Sequence, residues 1–163
     1  MKGVCGEVLA ALERMGIPYR YMEHEPVQNM DDCAVNAREM GAVMPKNLFL
    51  TPKNGKSFWL CIVPAEYAFK TSDVSKQLGS ARLSFAPAEK LAEFLRTEPG
   101  AIGPLGLMFD GEKRVQLAMA RSLEREPVLA FHPCVPDATV ALAREDFFRF
   151  VQALGVEVHW VEV

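Results

Sequence analysis

A chain of 163 residues that is 50 % hydrophobic and 24 % charged, with a formal net charge of −3, has an ordinary globular composition and the length to bury a sizeable core as one domain over residues 1–163. The negative balance excludes a nonspecific nucleic-acid coat, which needs a strongly basic surface to release counterions. No apolar run approaches the roughly 18 to 20 residues of a membrane span, and the start from Met1 to Glu7 has no signal-peptide hydrophobic segment, so a cytoplasmic protein is expected.

Val4, Val8, Leu9, Leu12 and Met15 recur at helical spacing before Gly16 and Pro18, which predicts a helix over 2–15. Tyr19 to Glu23 reads as a short strand. Asp31 is the expected cap of a helix over 32–40 that ends at Gly41. Val43 to Pro52 and Ser57 to Val63 flank Lys53-Asn54-Gly55-Lys56, and Asn-Gly between two apolar runs is a strong hairpin signal. Phe58 to Val63 hardly alternates, so both of its faces should be covered, in the middle of a sheet.

Further on, Ser72 to Leu78 reads as a short helix closed by Gly79, Arg82 to Phe85 as an extended piece, and Pro87 as the opening of a helix carrying Leu91, Phe94 and Leu95. The stretch from Pro99 to Gly106 holds three glycines and two prolines, too broken for a helix or a central strand. Strands are expected at 115–119, 128–131, 138–143 and 156–163, with an amphipathic helix over 144–154. This irregular mixture predicts an α+β domain, a mixed, mostly antiparallel β-sheet with flanking helices.

The chemistry-bearing residues are few. Cys5, Cys33, Cys61 and Cys134 are scattered without a C-x-x-C, so reduced core or surface thiols are expected rather than zinc ligands or disulfides. There is no P-loop, G-x-S-x-G or H-E-x-x-H, and no cofactor is implied. Lys46 stands in line with Met44, Leu48 and Leu50 on one face of an apolar strand. It either snorkels its head into water at the strand entry or reaches into a cleft to bind an oxyanion, phosphate or carbonyl. The glycine loop is either a tight connection or a set of exposed N–H donors. His132 before Pro133 reads as a turn residue, His24 as solvated or locally bonded, and His159 as outward-facing. From Lys46 to Arg82, six cations face only Glu66 and Asp73, a local positive excess.

Taken together, several segments resemble the YbaK/ProX-type aminoacyl-tRNA deacylases, relatives of the editing domain inserted in bacterial prolyl-tRNA synthetases. They are Glu23-His24-Glu25-Pro26-Val27, Lys46-Asn47-Leu48-Phe49-Leu50, Arg82-Leu83-Ser84-Phe85-Ala86, Gly100-Ala101-Ile102-Gly103-Pro104-Leu105-Gly106-Leu107, and His132-Pro133 followed by Ala138-Thr139-Val140. The lysine motif and the G-x-x-x-P loop are the most specific parts. Lys46-Asn47 and His132-Pro133 look closer to the ProX branch, which deacylates alanyl-tRNA(Pro), than to the YbaK branch, which prefers cysteinyl-tRNA(Pro).

The resemblance implies hydrolysis of the ester between a wrong amino acid and tRNA(Pro). Lys46, Gly100 and Pro104 would carry the activity, and Asn47, Ala101, Ile102, Gly103, Leu105, His132 and Thr139 would contact the substrate. Its implied partners are the acceptor end of mischarged tRNA(Pro) and prolyl-tRNA synthetase. Alternatives are a Cys-tRNA(Pro) deacylase, or a noncatalytic binding module of the same fold. Three departures stand out: Gly103 occupies a place where Ser or Thr is expected, Val115 to Ala120 lacks an expected Asp, and Cys134-Val135-Pro136-Asp137 replaces a more polar, asparagine-containing turn.

Overall fold

The computed structural model describes residues 3–68 and 70–163; Lys2 of the expected first helix lies outside them. That helix, α1 (Gly3–Arg14), buries Val8, Leu9 and Leu12 and stops at Gly16, whose φ of 68° suits a residue without Cβ. After β1 (Arg20–Glu23), α2 spans Met30–Glu39. Its cap is Asn29 rather than Asp31: the Asn29 side chain accepts from the Asp32 N–H at 2.9 Å. Asp31 and Asp32 instead occupy the first turn, where carboxylates complement the helix dipole.

The hairpin of β2 (Lys46–Pro52) and β3 (Phe58–Val63) pairs antiparallel with Lys46 opposite Val63 and Leu50 opposite Trp59. Expected to start at Val43, β2 starts three residues later, because Pro45 offers no N–H to a ladder. Val43 instead bridges to residues of another sheet. All six residues of β3 are buried, as the unbroken apolar run predicts.

Next come α3 (Thr71–Gln77), β4 (Leu83–Phe85), α4 (Ala88–Leu95), β5 (Val115–Ala120), β6 (Val128–Phe131), β7 (Ala138–Ala143), α5 (Arg144–Ala153) and β8 (Val158–Val161). The α+β class and the predominance of antiparallel pairs hold, but the strands form two sheets. One has the order β4-β2-β3-β5-β8, with β3 at its centre and parallel pairs β3/β5 and β5/β8. The other, β1-β7-β6, is antiparallel throughout. Val43 links them, donating to Val128 O at 3.0 Å and accepting from Ala130 N–H at 2.9 Å.

The glycine-proline stretch also differs from expectation. Its second half is a 3-10 helix over Pro104–Phe109, opened by Pro104, whose fixed φ suits a first helical turn. This helix packs against α4 through Gly106. A Cβ there would lie 2.6 Å from Leu95 O and 2.8 Å from Thr97 Oγ1. Backbone cannot yield as a flexible side chain can, so overpacking should follow. Gly106→Ala is expected to lower stability by about 1 to 3 kcal/mol, measured as a shift in the urea midpoint at unchanged slope; an unchanged midpoint would contradict the close approach.

Candidate active site

At the start of β2, a cavity of about 180 Å³ opens between α2, the 100–103 loop and the end of β6. Lys46, Asn47, Gly100, Ile102 and His132 all line it. Met30, Cys33, Met44 and Pro45 complete the wall, and the sequence reading assigned none of these four to a site. Strand alternation sends Lys46 and Asn47 to opposite faces, yet both reach the cavity because it lies beyond the strand end. Ala101, Gly103, Pro104, Leu105 and Thr139 do not line it; Ala101 and Leu105 are fully buried. A wider groove of about 560 Å³ passes His24, Glu25 and Asp32. Its carboxylates repel an anion, whereas the smaller cavity carries a cation.

The Lys46 Nζ donates to Tyr67 O at 2.6 Å. Among the described residues Lys46 forms no ion pair, so one carbonyl dipole holds an otherwise uncompensated positive charge at the cavity. Beside it, Asn47 Nδ2 donates to Pro45 O at 3.4 Å, and its Oδ1 is buried with no donor. An orphaned acceptor of this kind costs roughly 1 to 3 kcal/mol and favours anything that brings an N–H to it.

His132 is 4 % exposed and bonded at both ring nitrogens. Ala138 O, an acceptor only, lies 2.8 Å from Nδ1, so Nδ1 carries the proton. Nε2 is then the acceptor for the Cys33 thiol, at 3.6 Å. Burial pushes the imidazole below its ordinary value, and burial together with the Asp32 carboxylate pushes the thiol up. The pair is therefore a neutral thiol on a neutral imidazole, not an ion pair. His24 is half-buried and bonded both locally, as expected, and at long range. Its Nδ1–H donates to Glu25 O at 2.8 Å, its Nε2 accepts from the Thr139 hydroxyl at 2.7 Å, and its ring stands edge-on to His132 at 6.3 Å. His159 is partly covered, edge-on to Trp59 at 5.1 Å.

The turn after His132 ties the cavity walls together. Asp137 O accepts from His24 N–H, Pro136 O from Val27 N–H, and Cys134 O from Glu98 N–H at 3.1 Å. Cys134 has a φ of 68°, which asparagine or glycine adopts more readily; all four cysteines are free and buried. In the loop beyond, the Ala101 N–H is bonded to Glu98 O, while the amides of Gly100, Ile102 and Gly103 make no hydrogen bond among the described residues. Gly100, with φ 86°, needs glycine. Gly103 does not: it is extended, and a Cβ would sit 3.8 Å from His132 O, so the serine or threonine expected there would fit.

Residues 24–150 match the family model described as the aminoacyl-tRNA editing domain. The chain belongs to this family. It is 30 % identical to the prolyl-tRNA editing protein ProX of Acetoanaerobium sticklandii over 91 % of this chain and 90 % of that protein. It is 32 % identical to prolyl-tRNA synthetase associated domain-containing protein 1 of Bos taurus, covering 91 % of each. A crystal structure of a proposed trans-editing enzyme for prolyl-tRNA synthetase has the same fold, with a TM-score of 0.75 at 17 % identity over 100 % of this chain and 99 % of that one. No helix among the described residues is long and apolar enough to cross a membrane.

The buried neutral His132 links stability to pH. Its folded-state value lies below the ordinary one near 6.5, so as pH falls below 6.5 the unfolded chain takes up the proton first. His132 thus contributes full stability above pH 6.5 and loses it as pH drops through the lowered value, at no more than about 1.4 kcal/mol per pH unit. Urea unfolding from pH 7 to pH 5 should show a steeper loss in wild type than in His132→Asn; equal slopes would contradict a buried neutral ring.

Proposed function

We propose that the chain is a trans-editing deacylase that hydrolyses mischarged tRNA(Pro), with Ala-tRNA(Pro) as its substrate. The observation that carries this reading is the convergence of Lys46, Asn47, Gly100, Ile102 and His132 on one cavity of about 180 Å³. Small-molecule pockets start near 300 Å³, so the space suits an amino-acid side chain, with the ribose left at the mouth.

Water adds to the ester carbonyl, the oxygen takes negative charge, and collapse breaks the bond to the ribose oxygen. The products are the free amino acid and a restored ribose hydroxyl. Catalysis requires donors where the oxyanion develops. Gly100 and Ile102, whose amides make no hydrogen bond among the described residues, line the cavity together with Lys46, whose ammonium donates to Tyr67 O. Lys46 does not act as base, since an ammonium has no lone pair. His132 does not either, because Nε2 is occupied by the Cys33 thiol. The neighbouring ribose hydroxyl of the substrate orients the water. Asn47 lines the cavity and shapes the space for the aminoacyl group, its Oδ1 being buried. Pro104 acts from behind, by fixing the loop.

Surface charge fits an RNA partner. None of Lys46, Lys53, Lys56, Lys70, Lys76 and Arg82 is ion-paired among the described residues, whereas Lys90, Arg96, Arg114, Arg121, Arg144 and Arg149 all are. Arg14, Arg20, Arg38, Lys113 and Arg125 are in no ion pair among the described residues either, but the segment from Lys46, at the cavity, to Arg82, beyond α3, holds six such cations and is the face an acceptor end and prolyl-tRNA synthetase would approach. A second reading, Cys-tRNA(Pro) as substrate, is favoured by the sulfur-rich wall of Met30, Cys33 and Met44, which suits a polarisable side chain.

The test is release of amino acid from Ala-, Cys- and Pro-tRNA(Pro) by wild type and Lys46→Ala. Fast loss of alanine, slow loss of proline and a fall of about 100-fold or more in the variant are expected, the scale of losing one oxyanion donor. Preferential loss of cysteine would favour the second reading. No hydrolysis of any of the three would leave a binding module.

A further inference from the structure

Resting on the reading that the cavity holds the acyl group, we propose that Cys33 is the residue that sets the size limit of that group. Exclusion by overlap needs a wall that does not yield. Met30 and Met44 also line the cavity, but an unbranched thioether with three rotatable bonds moves aside at low cost. Cys33 has a single χ angle before its sulfur, and the S–H is fixed on His132 Nε2 at 3.6 Å. His132 cannot retreat: its Nδ1–H is fixed on Ala138 O at 2.8 Å, and the ring is 4 % exposed. The backbone of Cys33 is equally held, since α2 is capped by Asn29 and packs on β7. The sulfur is thus a rigid stop anchored in two elements 99 residues apart.

The same bond defines the chemistry of the stop. With Nε2 capped by the thiol, this stop offers no free imidazole acceptor to a serine hydroxyl. It presents a neutral, weakly polar surface that a methyl group touches without leaving a donor unpaired. Cys33 positions and selects; it is not the nucleophile, because burial and the Asp32 carboxylate keep its thiol protonated.

Two measurements test this. For hydrolysis, the ratio of kcat/KM on Pro-tRNA(Pro) to that on Ala-tRNA(Pro) is compared in wild type, Cys33→Ala, Cys33→Ser and Cys33→Val. Removing the sulfur should raise the ratio about tenfold or more, the scale of one methylene in a selective pocket. Cys33→Ser keeps the donor to Nε2 and should hold the ratio near wild type, and Cys33→Val should depress alanine release. A ratio unchanged within about threefold in Cys33→Ala, or an equal loss for both acyl groups, would overturn the proposal, the latter marking a merely structural role. The second measurement does not need hydrolysis. Methyl methanethiosulfonate labelling of Cys33, read on its own peptide, is compared with and without stable amide analogues of alanyl- and prolyl-adenosine. Protection by the alanyl analogue alone supports the proposal even if no ester is cleaved, in which case only the deacylase reading fails. Equal labelling in all three conditions overturns it.

Discussion

The register of the central hairpin is the constraint on which the site depends. Pairing Lys46 with Val63 leaves β2 no room to slide, because β3 is buried on both faces and held by β5 on its far edge. A slip of one residue would turn Lys46 and Asn47 about the strand and drive a cation toward the core. The Asn54-Gly55 turn, with Gly55 at a φ of 66°, sets the register at one end, and Pro45 ends the ladder at the other. What lies beyond Pro45 is the cavity. A cation at the very end of a buried strand is thereby fixed in direction without being sealed from the cavity.

The opposite wall is positioned by a turn rather than a strand. Residues 133–137 have no regular structure, yet their carbonyls hold the chain at His24, Val27 and Glu98. Through these bonds the His24 segment and the glycine loop are registered against His132, whose own protonation is dictated by Ala138 O. Thr139, expected to contact the substrate, lies one layer behind, holding His24. The family resemblance thus marks a shell of support as well as the lining of the cavity.

Much of the fold was legible because its signals are local. The Asn-Gly hairpin, the glycine stops after α1 and α3, and the apolar run of β3 each act within a few residues. The division into two sheets was not legible, since it rests on pairings such as β1 with β7 that no local pattern encodes. The 3-10 helix at Pro104 was hidden by the same glycines and prolines that argued against a helix, which a short 3-10 turn tolerates. In the site, Lys46 was visible as a charge out of place. Cys33 was not, because a cysteine on the apolar face of a helix looks like any core thiol, and its partner is His132, far along the chain. His24 was read only in part: the local bond expected of it is made to Glu25 O, but its second bond is to Thr139, far along the chain.

A single acyl pocket walled by Lys46, the Gly100 loop and the Cys33–His132 pair is the central claim. Its most direct test is a heteronuclear NMR titration with the stable amide analogue of alanyl-adenosine. The account predicts that the amides of Asn47, Gly100, Ile102 and His132 shift together along one saturating curve. Shifts confined to the groove beside His24, Glu25 and Asp32, or none at saturating analogue, would contradict it.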